Sequence, residues 1–250
     1  MAGRLDGKVC VITGAASGIG ADAAVRFAEE GARVVGVDLA EVAGVDLSVV
    51  ADVADEAAVE ALYSQVRERF GRVDVLFNNA GINPTDDTSV LDTPLEVWER
   101  VQQVNLRSVF LCCKHGIPHL LDGDAGGSVI NTASFVALMG AATSQISYTA
   151  SKGGVVALSR ELGVEFARRG VRVNALCPGP VATPLLTELF ASDEEQAARR
   201  LVHVPMGRFA EVREVSDAAV FLASDESSYV TASAFMVDGG LSGAYVTPDQ

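Results

Sequence analysis

Tyr148 and Lys152 are the residues whose types and spacing point most directly to acid–base chemistry. They are four residues apart in a segment with helical periodicity, so both side chains project from the same face of the predicted helix. An ammonium group beside a phenol favours the phenolate, which can accept a proton. Because the ordinary pKa of a tyrosine is about 10, neighbouring cations must lower it by several units for this tyrosine to act near neutral pH. An ordinary surface Tyr/Lys pair has the same spacing, so further residues are needed to decide.

A second set of residues could bind a pyrophosphate. A glycine-rich turn with the pattern GxxxGxG follows the first predicted strand and leads into a helix, where backbone N–H groups face an approaching anion. Asp38 ends the second predicted strand at the position where an acid that binds the ribose hydroxyls of adenosine is expected. The turn and the acid reinforce each other, although a glycine-rich turn alone is only weak support. The residues of the turn are Gly14, Ser17, Gly18, Ile19 and Gly20.

These residues are positioned by short apolar runs that alternate with helical segments along the whole chain. The runs are continuously apolar rather than alternating, as is typical of strands that are buried on both faces of a parallel sheet. The predicted strands are Val9 to Ile12, Val34 to Val37, Leu47 to Ala51, Val73 to Phe77, Ser128 to Asn131, Val171 to Leu176 and Ala234 to Val237.

The intervening helical segments predict a doubly wound fold. Three of them stop at a glycine, at Gly31, Gly71 and Gly170. We expect one α/β domain over residues 1–250, with a Rossmann-type, seven-stranded parallel sheet flanked by helices. Between Asp38 and Leu47 the chain is too short for a full crossover helix, so this connection should be a loop or a single turn of helix that exposes the adenosine end of the site. The predicted helices are Ile19 to Glu30, Glu56 to Phe70, Pro94 to Leu121, Tyr148 to Arg169 and Val212 to Ala223.

Composition excludes several classes of protein. With 250 residues, 49% of them apolar and 21% charged, the chain is neither a disulfide-stapled miniprotein nor a disordered one. A formal net charge of −14 disfavours nucleic acids and anionic membrane surfaces as partners. The four cysteines show neither a CxxC pair nor zinc-ligand spacing, which favours a reduced compartment. No signal-peptide or membrane-spanning pattern is visible, so we expect a cytoplasmic protein.

Taken together, the motifs identify a resemblance to the short-chain dehydrogenase/reductase family over nearly the whole chain. Each motif alone is weak, but the complete set in the same order is highly specific. In chain order the matching residues are Thr13-Gly14-x-x-x-Gly18-Ile19-Gly20, Asp52-Val53, Asn78-Asn79-Ala80-Gly81, Asn105, Ser134, Tyr148-x-x-x-Lys152, Pro178-Gly179 and Asp238-Gly239-Gly240.

The resemblance implies a role for each matching residue. Tyr148 would be the acid/base, Ser134 would hydrogen-bond the reacting oxygen, Lys152 would tune Tyr148 and bind the nicotinamide ribose, and Asn105 would position a water relay. Ser134 and Tyr148 are fourteen residues apart, one more than in many relatives, so the intervening loop should bulge and shape the substrate pocket. Residues implied to bind the cofactor besides the glycine-rich turn, Tyr148 and Lys152 are Asp38, Leu39, Asp52, Val53, Asn79, Ala80, Gly81, Pro178, Gly179, Val181 and Thr183.

The predicted cofactor is NAD rather than NADP. Asp38 and Leu39 place a carboxylate and no cation where a 2′-phosphate would lie, and Ser17 stands where NADP-using relatives often carry Arg or Lys. We therefore expect an NAD-dependent dehydrogenase of a secondary alcohol or its ketone. Two alternatives stay open: a 3-oxoacyl thioester reductase, which the chain resembles overall, and a non-catalytic, nicotinamide-binding regulatory protein.

The remaining predictions concern the substrate and the assembly. We expect a bulky or apolar substrate and a lid over residues 183–210. His115 and His119 are spaced as helical zinc ligands can be, but no third ligand is evident, so no metal is predicted. Helices Pro94 to Leu121 and Tyr148 to Arg169 would pair in a homotetramer, with Gly153 and Gly154 allowing close approach. Predicted pocket residues are Val136, Leu138, Met139, Gln145, Ile146, Leu185, Leu186, Phe190 and Met206, and the lid stripe adds Leu189.

Overall fold

The protein is described by a computed structural model, which covers residues 3–122, 126–183 and 201–243. Seven parallel strands form one sheet: β1 (Val9–Thr13), β2 (Arg33–Asp38), β3 (Leu47–Val50), β4 (Val75–Asn78), β5 (Gly127–Thr132), β6 (Val171–Pro178) and β7 (Ala234–Val237). Their order in the sheet is β3-β2-β1-β4-β5-β6-β7.

Helices cover both faces of this sheet. The α-helices of the described residues are α1 (Gly18–Glu29), α2 (Glu56–Phe70), α3 (Leu95–Gln102), α4 (Ser108–Leu121), α5 (Ile146–Phe166) and α6 (Val212–Ala223). One apolar core lies between the sheet and α2, α4 and α5, and the other lies between the sheet and α1 and α6. All residues of β1 and β4 are buried, as expected for strands that are covered on both faces.

The helix ends follow from local sequence chemistry. Gly71 and Gly170 adopt positive φ angles of 73° and 79°, and the first of them ends α2 in the left-handed conformation that glycine adopts without strain. At the start of α2 the Asp55 carboxylate accepts a hydrogen bond from the Ala58 N–H at 2.9 Å. The glycine stops predicted from the sequence therefore lie where these helices end.

One predicted helix is divided in the structure. The segment expected to run from Pro94 to Leu121 is continuous, but a π-helical turn at Gln103–Arg107 separates α3 from α4. This turn contains Asn105, which is completely buried. Wider turns of this kind are rare in helices and occur frequently at functional sites.

The connection from β2 to β3 contains no helix, as predicted. Instead, Val42 packs back onto Gly36 of β2, where an added Cβ would lie 2.8 Å from a Val42 methyl carbon. The Val42 N–H donates to the Ser48 hydroxyl at 2.9 Å. The short crossover is thus anchored to the sheet, while Leu39 next to Asp38 is 73% exposed.

No helix in the described part of the chain is long and apolar enough to cross a membrane. The predicted lid over 183–210 falls mostly on residues 184–200, which lie outside the described residues.

Candidate active site

The candidate site lies at the carboxyl edge of the sheet. The strand order reverses between β1 and β4, which are neighbours in the sheet, and ligands of doubly wound sheets bind in the crevice at such a point. The carboxyl ends of β1, β4 and β5 meet there, at Thr13, Asn78 and Thr132.

Tyr148, Lys152 and Ser134 converge at this edge. Lys152 is only 3% exposed, and its Nζ donates to the Thr132 carbonyl at the end of β5 at 2.7 Å. The same nitrogen lies 5.6 Å from the centroid of the Tyr148 ring. Ser134 is buried just after β5, and it is near enough to Tyr148 to lower the pKa of the phenol in part. The three predicted catalytic groups are therefore neighbours.

The electrostatics of this cluster are set mainly by burial. Burial raises the pKa of Tyr148, the nearby Ser134 hydroxyl lowers it in part, and Cys177 on β6 raises it further. Burial also lowers the pKa of Lys152 to about 8. Among the groups of this chain that act on the phenol, burial therefore has the largest effect, and the pKa of Tyr148 is raised.

Asn105 is tied to the segment that follows β4. Its Oδ1 accepts the Ile82 N–H at 2.7 Å, and its Nδ2 donates to the Ile82 carbonyl at 2.9 Å and to the Ser151 hydroxyl at 3.2 Å. Ser151 in turn donates to the Tyr148 carbonyl at 2.7 Å. The side-chain amide of Asn105 thus holds backbone in place, and the predicted water relay would need a different group of this residue.

Backbone conformation or lack of space explains why Gly14, Gly18 and Gly20 of the glycine-rich turn are glycines. Gly14 and Gly18 have positive φ angles of 68° and 54°. A Cβ on Gly20 would lie 2.0 Å from the Gly14 carbonyl oxygen, and one on Gly14 would lie 2.9 Å from the Ala80 Cα. Ser17 starts α1 without a side-chain capping hydrogen bond, and the first turn contains no acid. The N–H groups at this helix start can therefore receive an anion.

The Asn79–Gly81 segment packs against that turn. The Thr13 hydroxyl accepts the N–H groups of Asn79 at 3.0 Å and Ala80 at 3.1 Å, and Asn79 Nδ2 donates to the Thr13 carbonyl at 3.2 Å. A Cβ on Gly81 would lie 3.3 Å from both Lys152 Nζ and Asn105 Oδ1. The structure thus brings Asn79, Ala80 and Gly81 between the glycine-rich turn and the Tyr148 cluster.

Asp38, at the end of β2, contacts the glycine-rich turn through its carboxylate. Its Oδ2 accepts the Ala16 N–H at 3.0 Å and its Oδ1 accepts the N–H of Leu39 at 2.7 Å. After β3, Asp52 caps the following turn through a 2.9 Å hydrogen bond from the Ala54 N–H, and the Val53 side chain is buried. Asp38 is therefore joined directly to the glycine-rich turn, whereas the contacts of Asp52 are local.

Residues after β6 also approach the glycine-rich turn. The Gly179 N–H donates to the Val237 carbonyl at 2.9 Å next to Pro178 at the end of β6, and Val181 is buried and paired with Ala210. The Thr183 methyl carbon lies 3.8 Å from the position of a Cβ on Gly18. The structure therefore places Thr183 next to the turn expected to bind the pyrophosphate.

The predicted substrate pocket is only partly described. Val136 is buried. Gln145 Oε1 accepts a hydrogen bond from Asn83 Nδ2 at 3.2 Å. Leu138, Met139, Ile146 and Met206 are large exposed apolar residues, and Leu185, Leu186, Leu189 and Phe190 lie outside the described residues.

The two histidines considered as zinc ligands have other contacts. His115 Nε2 lies 3.1 Å from Glu56 Oε1, and the His119 ring stacks on Tyr63 with 5.9 Å between centroids. Within residues 3–122, 126–183 and 201–243, no three His, Cys, Asp or Glu side chains are grouped as metal ligands.

Sequence reasoning missed one residue that contacts the site directly. Asp87 is buried, and its two carboxylate oxygens accept the N–H groups of Ser147 and Tyr148 at 2.9 and 2.8 Å. No local pattern could have identified it, because its partners are 60 and 61 residues away in the chain. Thr13 lies within the quoted motif, but its hydroxyl contacts were not foreseen.

The chain resembles known proteins over nearly its whole length. A family model described as enoyl-(acyl carrier protein) reductase matches residues 14–242. The chain is 40% identical to the 3-oxoacyl-(acyl-carrier-protein) reductase FabG of Thermotoga maritima, covering 95% of this chain and 99% of that protein. It is 38% identical to the meso-2,3-butanediol dehydrogenase of Serratia marcescens, covering 95% of each.

A solved structure is similar over the same extent. The crystal structure of a levodione reductase superposes with a TM-score of 0.89 at 37% identity, covering 97% of this chain and all of that one. The doubly wound sheet, the converging site residues and these full-length matches lead to one conclusion. The chain belongs to the short-chain dehydrogenase/reductase family of oxidoreductases.

Proposed function

We propose that this chain is an NAD-dependent dehydrogenase that transfers hydride between a secondary alcohol, or its ketone, and nicotinamide. The observation that carries the proposal is the convergence of Tyr148, Ser134 and the buried Lys152 at the carboxyl edge of the sheet. The names of two relatives, a 3-oxoacyl reductase and a butanediol dehydrogenase, support it. Both names describe reactions that interconvert a carbonyl group and a secondary alcohol.

In this proposal each residue of the cluster has one task. Tyr148 takes the hydroxyl proton during oxidation of the alcohol and returns it during reduction of the ketone. Ser134 hydrogen-bonds the reacting oxygen and so aligns it with the phenol. When its amine is protonated, Lys152 provides a buried positive charge that favours the phenolate form of Tyr148. When bound, the nicotinamide ring accepts or supplies the hydride.

The cofactor-binding residues fit a dinucleotide. The start of α1 has no side-chain cap and no acid in its first turn, which suits a pyrophosphate, and its glycines leave no room for side chains at Gly14 or Gly20. Asp38 would bind the adenosine ribose, and Asp52 and Val53 would contact adenine. The nicotinamide end would lie against Gly81, Lys152 and Thr183, with Asn79, Ala80, Pro178, Gly179 and Val181 supporting it.

The choice of NAD over NADP rests on Asp38. Its carboxylate is fixed beside the glycine-rich turn by the Ala16 N–H, so a 2′-phosphate would face a like charge. Ser17 and Leu39, the neighbouring side chains, carry no charge to compensate. NAD, which carries no 2′-phosphate, would therefore bind here without this electrostatic repulsion.

The 3-oxoacyl thioester reductase is the second candidate, and the 40% identity to the Thermotoga maritima enzyme favours it. The two functions differ in cofactor as well as in substrate. A reductase of this kind would consume NADPH with a 3-oxoacyl thioester, whereas the proposed dehydrogenase would produce NADH from secondary alcohols.

The test is an activity screen that monitors NADH absorbance with a panel of secondary alcohols and ketones, run in parallel with NADPH and a 3-oxoacyl thioester. Tyr148→Phe serves as the matched variant because it removes only the phenolic oxygen. We expect its turnover to fall at least about 10²-fold while NAD affinity is kept. Turnover close to that of the wild type would refute the catalytic assignment of Tyr148, whereas no turnover of any tested substrate by the wild type would favour a regulatory protein.

We also propose that the chain works as one domain, with a lid over residues 183–210, in a homotetramer. Large apolar residues on the helices expected to pair support this assembly: Leu95 is 68% exposed, Phe110 49% and Val164 69%. A Cβ on Gly153 would meet no atom within 4 Å, so this position is open to a partner, whereas Gly154 packs against Leu106 of its own chain.

The proposed compartment is the cytoplasm, supported by four free, buried cysteines.

A further inference from the structure

The first turn of α5 is capped by a distant segment of the chain. Gln145, which precedes this helix, makes no side-chain capping hydrogen bond. Instead, the Asp87 carboxylate accepts the N–H groups of Ser147 and Tyr148 at 2.9 and 2.8 Å, and the Thr88 carbonyl accepts the Ile146 N–H at 3.3 Å. The donors that a helix start leaves unpaired are therefore satisfied from the loop after β4.

The Asp87 carboxylate is committed to this contact. It is only 4% exposed, and within the described part of the chain it makes no ion pair and no side-chain hydrogen bond besides these two. Burial of a carboxylate is costly unless it is well hydrogen-bonded. A helix N-terminus meets that need through its N–H groups and its dipole. The carboxylate and the helix start thus stabilise each other.

This contact fixes the backbone of Tyr148 itself. Asp87 holds the N–H of Tyr148, and the Ser151 hydroxyl holds its carbonyl at 2.7 Å. Ser151 is hydrogen-bonded to Asn105, which also clamps Ile82 at the start of the same loop. The peptide that carries the phenol is therefore held on both sides by one connected network.

We propose that Asp87 is a positioning residue for the reaction, which acts by holding the start of α5 so that the Tyr148 phenol meets the reacting oxygen. The proposal rests on the proposed function of Tyr148. Displacement of a reacting group by about 1 Å can cost as much as 10²-fold in rate, so a loosened helix start would lower turnover. Cofactor binding would be spared, because Asp87 holds only the first turn of α5, whereas Lys152, which is assigned to the ribose, is held one turn later by the Thr132 carbonyl.

The test compares Asp87→Ala and Asp87→Asn with Asp86→Ala as the matched control. Asp86 is the neighbouring acid; its side chain is 55% exposed and lies 3.5 Å from Arg100. Turnover is measured with an alcohol accepted by the wild type, and the dissociation constant of NADH by fluorescence. We expect Asp87→Ala to lower kcat at least about tenfold with the NADH constant within about twofold of wild type. Asp87→Asn should recover part of kcat, because its amide oxygen can still accept one N–H, and Asp86→Ala should match the wild type.

Wild-type kcat in Asp87→Ala would overturn the proposal. So would a fall in kcat that is matched by an equal loss of NADH affinity, since that would indicate general disruption of the fold. If Asp87→Ala does not fold, Asp87→Asn decides: reduced kcat with unchanged NADH affinity supports the proposal, and wild-type kcat overturns it. Tyr148→Phe is measured alongside, because wild-type turnover in that variant would mean that the proposed function fails, whatever the Asp87 variants show.

Discussion

At the scale of single residues, burial disfavours the charged forms of both Tyr148 and Lys152, the phenolate and the ammonium. Burial raises the pKa of the phenol and lowers that of the ammonium to about 8. With a raised pKa the phenol stays protonated at neutral pH. We propose that the positive charge of an oxidised nicotinamide ring, together with that of Lys152, favours the phenolate.

The pH dependence of alcohol oxidation should show this directly. At saturating NAD we expect kcat/KM for the alcohol to rise with pH as Tyr148 loses its proton, with a midpoint below the ordinary value of about 10. Without NAD, ultraviolet difference titration of wild type against Tyr148→Phe should place the same ionisation above that value. The direction of each shift in the pKa of Tyr148 follows from the charges. A neighbouring cation favours the phenolate and lowers the pKa, whereas burial disfavours the phenolate and raises the pKa.

Lys152→Met supplies the control for this profile. Loss of the ammonium should move the midpoint to higher pH and weaken NAD binding as well, because the same group is assigned to the ribose. An unshifted midpoint in this variant would mean that Lys152 does not tune Tyr148.

Cofactor choice is also decided at single residues. We expect the wild type to prefer NAD over NADP by at least about tenfold in kcat/KM, because the Asp38 carboxylate would repel a 2′-phosphate. Asp38→Ala combined with Leu39→Arg should move the preference towards NADP by removing the repulsion and adding a cation. Steady-state kinetics with both cofactors checks this, and an unchanged ratio in the double variant would contradict the role of Asp38.

At the scale of elements, the strands could be predicted within about two residues because each is a continuous apolar run. The predicted Ser128 to Asn131 lies within the observed Gly127–Thr132, for example. The π-helical turn at Gln103–Arg107 was not predicted, since one added residue barely changes the apolar periodicity of a long helix. The Asp87 cap was missed because it joins a loop to a helix that is distant in sequence.

The glycine-rich turn permits a prediction about an element rather than a side chain. Gly20→Ala would place a Cβ 2.0 Å from the Gly14 carbonyl, so the turn must open to admit it. We expect NADH affinity to fall by more than about tenfold, because the N–H groups that receive the pyrophosphate would be displaced. Gly140→Ala is the control, since a Cβ there meets no atom within 4 Å. Wild-type affinity in Gly20→Ala, measured by NADH fluorescence, would refute the assigned site.

At the scale of the whole molecule, the proposed homotetramer follows from α5 and from the apolar residues left exposed around it. The helix carries Tyr148 and Lys152, the proposed catalytic pair, and next to Lys152 the open position at Gly153. In an isolated chain a glycine at an open helical position costs about 1 kcal/mol relative to alanine, without any packing in return. A partner that packs closely there would give that glycine a purpose.

Light scattering at micromolar concentration should therefore give a mass about four times the 26.0 kDa of one chain. Gly153→Leu should lower that mass, because a large side chain would hold the partner helix away, whereas Gly140→Leu, in a loop outside the paired helices, should not. A monomeric wild type would refute the assembly. In that case Gly153→Ala should only raise the unfolding free energy, by up to about 1 kcal/mol, as it would at any exposed helical glycine.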